Sequence, residues 1–258
     1  MALIRGTNFN DRLFGTVFND NIQGFNGNDI LFGNSGNDFI NGGFGNDFMN
    51  GGFGNDTYIV NSVGDRVVET IGGVTGGIDR VVSFINYGLP RNIENLSLNG
   101  FAVLGNGNAG ANVIRGTNRS NVLNGFSGND FLSGAGGNDV LTGGFGRDVL
   151  TGGFGRDTFR YFSAAESRTG AFRDVITDFT RGFDKINLLA IDANPFFFGN
   201  QRFSFIGGRP FTGFTGQVRY GTVGFNSVVE VDINGDRFPE MQIQVNGTRF
   251  LTATDFIG

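Results

Sequence analysis

A chain of 258 residues without cysteine or histidine has no disulfide, no thiolate ligand and no imidazole. Zinc sites of the HExxH kind, Ser-His and Cys-His nucleophile pairs and imidazole acid-base catalysis are thereby excluded. A formal net charge of −5, with no basic run interleaved with aromatics, argues against a nucleic-acid partner. No stretch approaches the roughly 18 apolar residues of a membrane helix, so no transmembrane segment is expected.

Residues 1–60 form the first predicted unit. The start, MALIRGTN, lacks the apolar segment of an N-terminal signal peptide. From there Gly6, Gly15, Gly24, Gly33, Gly42 and Gly51 fall nine residues apart. So do Asp11, Asp20, Asp29, Asp38, Asp47 and Asp56, and an apolar series of Leu13, Ile22, Leu31, Ile40, Met49 and Tyr58. Forty-six glycines would suggest low complexity if they were aperiodic. In strict register with apolar residues they instead read as tight turns of a repeat array, each unit carrying one inward side chain.

Glycine at the first, often the second, and the fourth place frees the backbone to adopt positive φ and expose carbonyls, while the sixth-place carboxylate points into the same turn. Converging hard oxygens suit calcium, which takes about six to eight of them without a strict octahedron. If two nonapeptides make one coil, units n and n+2 stack about 4.8 Å apart. Asp11, Asp29 and Asp47 then line one edge, and Asp20, Asp38 and Asp56 the other. Neighbouring carboxylates at that spacing repel by about 3 to 4 kcal/mol at an effective dielectric of about 20, which calls for a cation between them. Residues 6–59 hold six Asp against one Arg, a net of −5. The expected ligands are these six aspartates with the fourth-place carbonyls of Gly27, Gly36, Gly45 and Gly54.

Residues 61–106 read as longer, degenerate coils. A second array over 107–160 repeats the design, with Gly107, Gly116, Gly125, Gly134, Gly143 and Gly152 opening units whose inward residues are Ile114, Leu123, Leu132, Leu141, Leu150 and Phe159. Its sixth places are Asn112, Asn121, Asp130, Asp139, Asp148 and Asp157, and five arginines bring its net charge to +1. Asp130, Asp139, Asp148 and Asp157 with Gly128, Gly137, Gly146 and Gly155 are its expected ligands, in sites fewer or weaker than those of the first array.

In residues 161–258 the segment DINGD (Asp232, Asn234, Asp236) imitates the first ligands of an EF-hand, but the sixth place is Arg237 and the twelfth Ile243. Flanked by VVEVDI and MQIQV, it reads as an Asn-Gly hairpin turn. Asp174 and Asp178 resemble a carboxylate pair for glycoside hydrolysis only in being two acids close together; DVITDF alternates like a strand. Glycosylation sequons such as those at Asn95, Asn118 and Asn246 are too short to carry weight.

GGFGNDFMN and GGFGRDVLT resemble the GGxGxDxUx nonapeptide of RTX proteins, a calcium-binding β-helix repeat. FRDVITDFTRGFDKINLLAIDAN, at 172–194, and the later FSFIG, FTGFTGQVRY and EVDINGD resemble the C-terminal domain of serralysin-type secreted proteins. Residues 55–100 are similar to the coils that join nonapeptide arrays. The resemblance implies an all-β fold, parallel β-roll arrays followed by a C-terminal β-sandwich-like cap, with calcium as the cofactor. It also implies export by type I secretion machinery through an uncleaved C-terminal signal, to which LTATDFIG is similar apart from its final Gly258. For Asp174 and Asp178 it implies calcium or water binding. Serralysins carry a zinc protease domain ahead of such repeats, whereas these repeats begin at Gly6, so no catalytic residues and no enzyme activity are expected.

Phenylalanine is the departure from that pattern: 31 of them, with no tryptophan. Phe44, Phe53, Phe145 and Phe154 occupy the third place, usually small or polar, on the rim of the turns. Outward places seven and nine put Phe14, Ile30, Phe32 and Phe48 on one face, with Asn21, Gln23, Phe39, Asn41 and Thr57 opposite. Either the cap or the joining coils cover the apolar face, or it meets other molecules. A solenoid that starts within six residues of Met1 also leaves unpaired strand edges. The expectation is an extracellular or cell-surface structural protein that folds on calcium and self-associates through Phe-rich rims and β-roll faces into a layer, matrix or filament. The alternative is a non-catalytic polysaccharide-binding or secretion-carrier module acting with a separate enzyme.

Overall fold

In the computed structural model residues 1–70, 72 and 76–258 are described; Ile71 and residues 73–75, within the expected joining coils, lie outside them. The chain divides into two compact units, Met1–Thr117 and Asn118–Gly258. The first is a parallel β-solenoid, and the second is a parallel β-solenoid closed by a cap that contains antiparallel strands.

In the first unit the offset between paired strands is the sum of two nonapeptides: Ile22 lies opposite Ile40 and Leu31 opposite Met49. One sheet stacks Ala2–Arg5, Asp20–Asn26, Phe39–Phe44, Thr57–Val60, Arg80–Ser83, Asn95–Leu98 and Val113–Arg115, all parallel. Alternate nonapeptides supply a second sheet of Arg12–Phe14, Ile30–Ser35, Phe48–Phe53 and Arg66–Val67. Tyr87–Gly88 pairs with Leu104–Asn106 in the same parallel sense. Arg66–Val67, Arg80–Ser83 and Asn95–Leu98 therefore stack on the strands of the first array. Ile22, Leu31, Ile40, Met49 and Tyr58 are wholly buried, a ladder worth about 1.5 to 3 kcal/mol per side chain.

The second unit repeats this with Leu123, Leu132, Leu141, Leu150 and Phe159, also wholly buried. Its sheets run through Phe131–Ser133, Val149–Thr151 and Asp174–Ile176, and through Val122–Ser127, Val140–Phe145, Thr158–Arg160 and Lys185–Asn187. The cap closes both layers. Met241–Val245 joins Asp174–Ile176 in parallel and opens an antiparallel meander with Asn226–Asp232 and Gln217–Val223, while Phe256–Ile257 pairs with Lys185–Asn187.

One local expectation is corrected. Residues 226–232 and 241–245 do form a hairpin, but it closes at Val231 opposite Met241, so Asn234-Gly235 sits inside a long loop rather than forming a two-residue turn. The tight turn is Gly224-Phe225, between Val223 and Asn226, where Gly224 supplies a φ of 63°.

Candidate calcium centre

The turns between strands bring the sixth-place carboxylates into files. The amide of Asp11 donates to Asp29 Oδ1 at 2.8 Å, Asp29 to Asp47 at 2.8 Å, Asp20 to Asp38 at 2.7 Å and Asp38 to Asp56 at 2.7 Å. In the second unit Asn121 donates to Asp139, Asp130 to Asp148 and Asp139 to Asp157 at 2.7 to 2.8 Å. One oxygen of each carboxylate is therefore spent on the coil before it.

The second oxygen divides the files. Asp11 Oδ2 accepts from the Thr7 amide at 2.5 Å and Thr7 Oγ1 at 2.9 Å; Asp20 Oδ2 accepts from the Thr16 amide at 2.6 Å and Thr16 Oγ1 at 2.8 Å. In the later units this oxygen is buried without a hydrogen-bond partner among the described residues, at Asp29, Asp38, Asp47, Asp56, Asp139, Asp148 and Asp157. The local cause is the second place. Where Thr stands there, its amide turns to the carboxylate. Phe25, Asn34, Phe126 and Ala135 there hold φ of 73° to 78°, and Gly43, Gly52, Gly144 and Gly153 hold φ of 93° to 99°, and the amide turns away. Gly45 shows why the fourth place is glycine: φ is 141° and a Cβ would overlap the Gly27 carbonyl of the coil below.

First-place glycines make the cradle. A Cβ on Gly24 would overlap both Asp29 Oδ2 and the Gly42 carbonyl oxygen, and one on Gly33 would overlap Asp38 Oδ2 and approach the Gly51 oxygen to 2.6 Å. Orphaned carboxylate oxygens thus meet main-chain carbonyls in the space a methyl would fill, a hard-oxygen donor set that fits calcium. Reasoning from the sequence named the fourth-place carbonyls and missed these, although the first place is the one position that is glycine in every unit.

Electrostatics separates the same two groups. Burial pushes Asp38 and Asp47 up to about 6, Asp139 and Asp148 to about 7 and Asp56 to about 8, with like charges on the neighbouring coil adding to most of these shifts. At Asp20 burial acts in the same sense but is outweighed by hydrogen bonds from Thr16 and Ala2, and the carboxyl stays below its usual value.

Both arrays end on a carboxylate cap that the repeat does not announce. Glu69 Oε1 accepts from the amides of Gly51 and Gly52 at 3.1 and 3.3 Å. Asp178 accepts from those of Gly152 and Gly153 at 2.9 and 2.7 Å. Asp174 is instead wholly buried with its Oδ1 on the Asp148 amide, so Asp174 and Asp178 do separate work. In the long loop, oxygens of Asp232, Asp236 and Glu240 lie within 4.8 Å of one another. They are held by the loop itself: Asp232 takes the amides of Gly235 and Arg237, and Glu240 takes Ile233 N and Asn234 Nδ2.

Residues 75–258 match the family described as peptidase M10 serralysin C terminal, and residues 5–40 and 23–58 match the RTX calcium-binding nonapeptide repeat, four copies. The chain belongs to the serralysin C-terminal family. Its RTX repeats bind calcium, and a serralysin C-terminal domain places it among secreted proteins exported by the type I route. Among solved structures, the AlgE6R3 subunit of Azotobacter vinelandii mannuronan C5-epimerase is 27% identical over 57% of this chain and 78% of its own, with a TM-score of 0.41. The AlgE6R2 subunit of the same enzyme is 26% identical over 57% and 88%, with a TM-score of 0.44. Extracellular lipase LipA from Serratia marcescens is 18% identical, with 99% of this chain covering 40% of the lipase at a TM-score of 0.39. Comparison with curated proteins gives no significant match. Among the described residues no helix is long and apolar enough to cross a membrane.

Proposed function

We propose that this serralysin-type RTX chain is a non-catalytic structural protein that folds on calcium outside the cell and self-associates into a layer, matrix or filament. Calcium is held by the carboxylates of Asp29, Asp38, Asp47 and Asp56 and of Asp130, Asp139, Asp148 and Asp157, with turn carbonyls completing each site. Asp11 and Asp20, whose second oxygens are engaged by Thr7 and Thr16, are not full ligands.

The observation that carries self-association is the exposed aromatic surface. Rim residues Phe44, Phe53, Phe145 and Phe154 are 77%, 47%, 53% and 88% exposed. On the sheet face of the first unit Phe14 stacks on Phe32 at 5.3 Å, Phe48 follows at 5.8 Å, and Arg12 and Arg66 lie over the ends of the row. Apolar area of this kind gains from burial between molecules. The test is particle size by light scattering or electron microscopy, with calcium and with chelator. Growth only with calcium, lost in a Phe44→Ser/Phe53→Ser variant that still gains its β-signal, supports the reading. A double variant that assembles like the parent refutes it.

A second reading is favoured by one feature. The opposite face of the first unit carries a groove lined by Phe39, Asn41, Phe44, Ile59, Asn61 and Phe84. Planar rings beside side-chain amides suit a polysaccharide. Retardation in polysaccharide-containing gels that is lost in Phe84→Ser, without a change in particle size, selects this reading.

A further inference from the structure

The glycines of the nonapeptide stop at Gly54, although Asp65 and Val67 continue the nine-residue step, and the best-developed carboxylate group in the first unit lies where they stop. Asp56, Glu69 and Asp79 are 1%, 3% and 1% exposed, and one ligand oxygen from each lies within 4.8 Å of the other two. Glu69 stands eighteen residues after Gly51, two nonapeptide steps on, where the repeat would have its first-place glycine. It comes from the coil that follows the array, thirteen places after Asp56.

Each of the three is anchored through one oxygen only. Asp56 Oδ1 accepts the Asp38 amide and Asp79 Oδ1 accepts the Asp56 amide, both at 2.7 Å. Glu69 Oε1 takes the amides of Gly51 and Gly52 and the Tyr58 hydroxyl. The second oxygens, Asp56 Oδ2, Glu69 Oε2 and Asp79 Oδ2, are all buried without a hydrogen-bond partner among the described residues. The molecule contains its own comparison. At the end of the second array Asp178 performs the same capping of a Gly-Gly pair but spends both oxygens, Oδ1 on Gly152 and Oδ2 on Gly153. Glu69 does the capping with one oxygen and leaves the other without a hydrogen-bond partner among the described residues.

We infer that Asp56, Glu69 and Asp79 hold a calcium ion at the end of the first array, with Glu69 supplying a carboxylate where the nonapeptide has glycine. Three buried carboxylates with a free oxygen apiece repel one another until a hard divalent cation joins them, and carboxylate oxygen is the donor calcium prefers. The ion ties the coil of Glu69 and Asp79 to the last Gly-Gly turn, so that closing the array and ordering the following coil become one calcium-dependent event. This deepens the calcium reading of the repeats and rests on it.

The experiment counts calcium bound to the full chain by equilibrium dialysis, in the parent, in Glu69→Gln and in Asp178→Asn. Glu69→Gln keeps an acceptor for Gly51 and Gly52 and removes the charge; the expected result is one calcium fewer per chain, with the β-signal in calcium retained. Asp178→Asn is expected to bind as many as the parent. An undiminished count in Glu69→Gln, or an equal loss in Asp178→Asn, overturns the site. A parent that binds no calcium would instead refute the reading of the whole array. Should Glu69→Gln fail to fold, terbium decides: with the Tyr58 hydroxyl on Glu69, tyrosine-sensitised terbium emission from the parent should fall in Tyr58→Phe. Unchanged emission overturns the proposal.

Discussion

The amide of Asp29 donates to Oδ1 of Asp47 at 2.8 Å while Asp29 Oδ1 itself accepts the amide of Asp11 at 2.8 Å. Each aspartate is thus a rung between the coils on either side. In Asp29→Asn the acceptor for Asp11 survives but the charge of the orphaned Oδ2 does not. Asp11→Asn alters an oxygen already bonded to Thr7. Calcium titration should show a clear loss of bound ion for Asp29→Asn and a smaller loss, or none, for Asp11→Asn; equal losses would contradict the division between Thr-bound and orphaned carboxylates.

Removing calcium should expose a pH dependence. The ordinary value for these aspartates is 3.8, and burial raises Asp38 to about 6 and Asp56 to about 8 in the fold. Between those limits the folded chain without metal holds more protons than the unfolded one, so its stability is greatest below about pH 4 and falls as pH rises to about 8. Circular dichroism in chelator should therefore report more β structure at pH 5 than at pH 8. Adding calcium between pH 6 and 7 should release protons, measurable by pH-stat. A chelated chain equally folded at both pH values would refute the account of stacked, mutually repelling carboxylates.

Leu31 and Phe44 should behave oppositely. Leu31 is wholly buried and Phe44 is 77% exposed. Truncating a core leucine costs about 2 to 5 kcal/mol, and placing a hydroxyl there adds an unpaired polar group. Leu31→Ser should lose the β-signal of the first array even in excess calcium, whereas Phe44→Ser should keep it.

The turn backbone offers a paired test of conformation. Ala135 holds φ of 78° where four other units have glycine, so Ala135→Gly should stabilise the calcium-loaded second unit, with relief of left-handed strain of about 1 to 2 kcal/mol partly offset by glycine's entropy. Gly45→Ala has the reverse sign, since its Cβ would overlap the Gly27 carbonyl. Thermal melts in calcium should move up for the first and down for the second.

Periodicity alone determined the coil, because a nine-residue recurrence of Gly, Asp and one apolar residue leaves a single way to stack units and bury Ile22, Leu31, Ile40 and Met49. The two aspartate files followed from the same step; the resemblance of residues 172–194 to a serralysin-type cap rests on that segment itself, outside the repeats. The second oxygen of each carboxylate was a different matter. Whether it is bonded, as at Asp20, or orphaned, as at Asp38, depends on whether the second-place residue turns its amide inward, a backbone choice that Asn34 makes readily and Phe25 makes against its intrinsic preference. Likewise only the tertiary structure brought Glu69 onto Gly51 and Gly52 and within reach of Asp56 and Asp79. The eighteen-residue step from Gly51 to Glu69 is legible in the sequence, but the arrival of Asp79 beside Glu69 follows no repeat spacing.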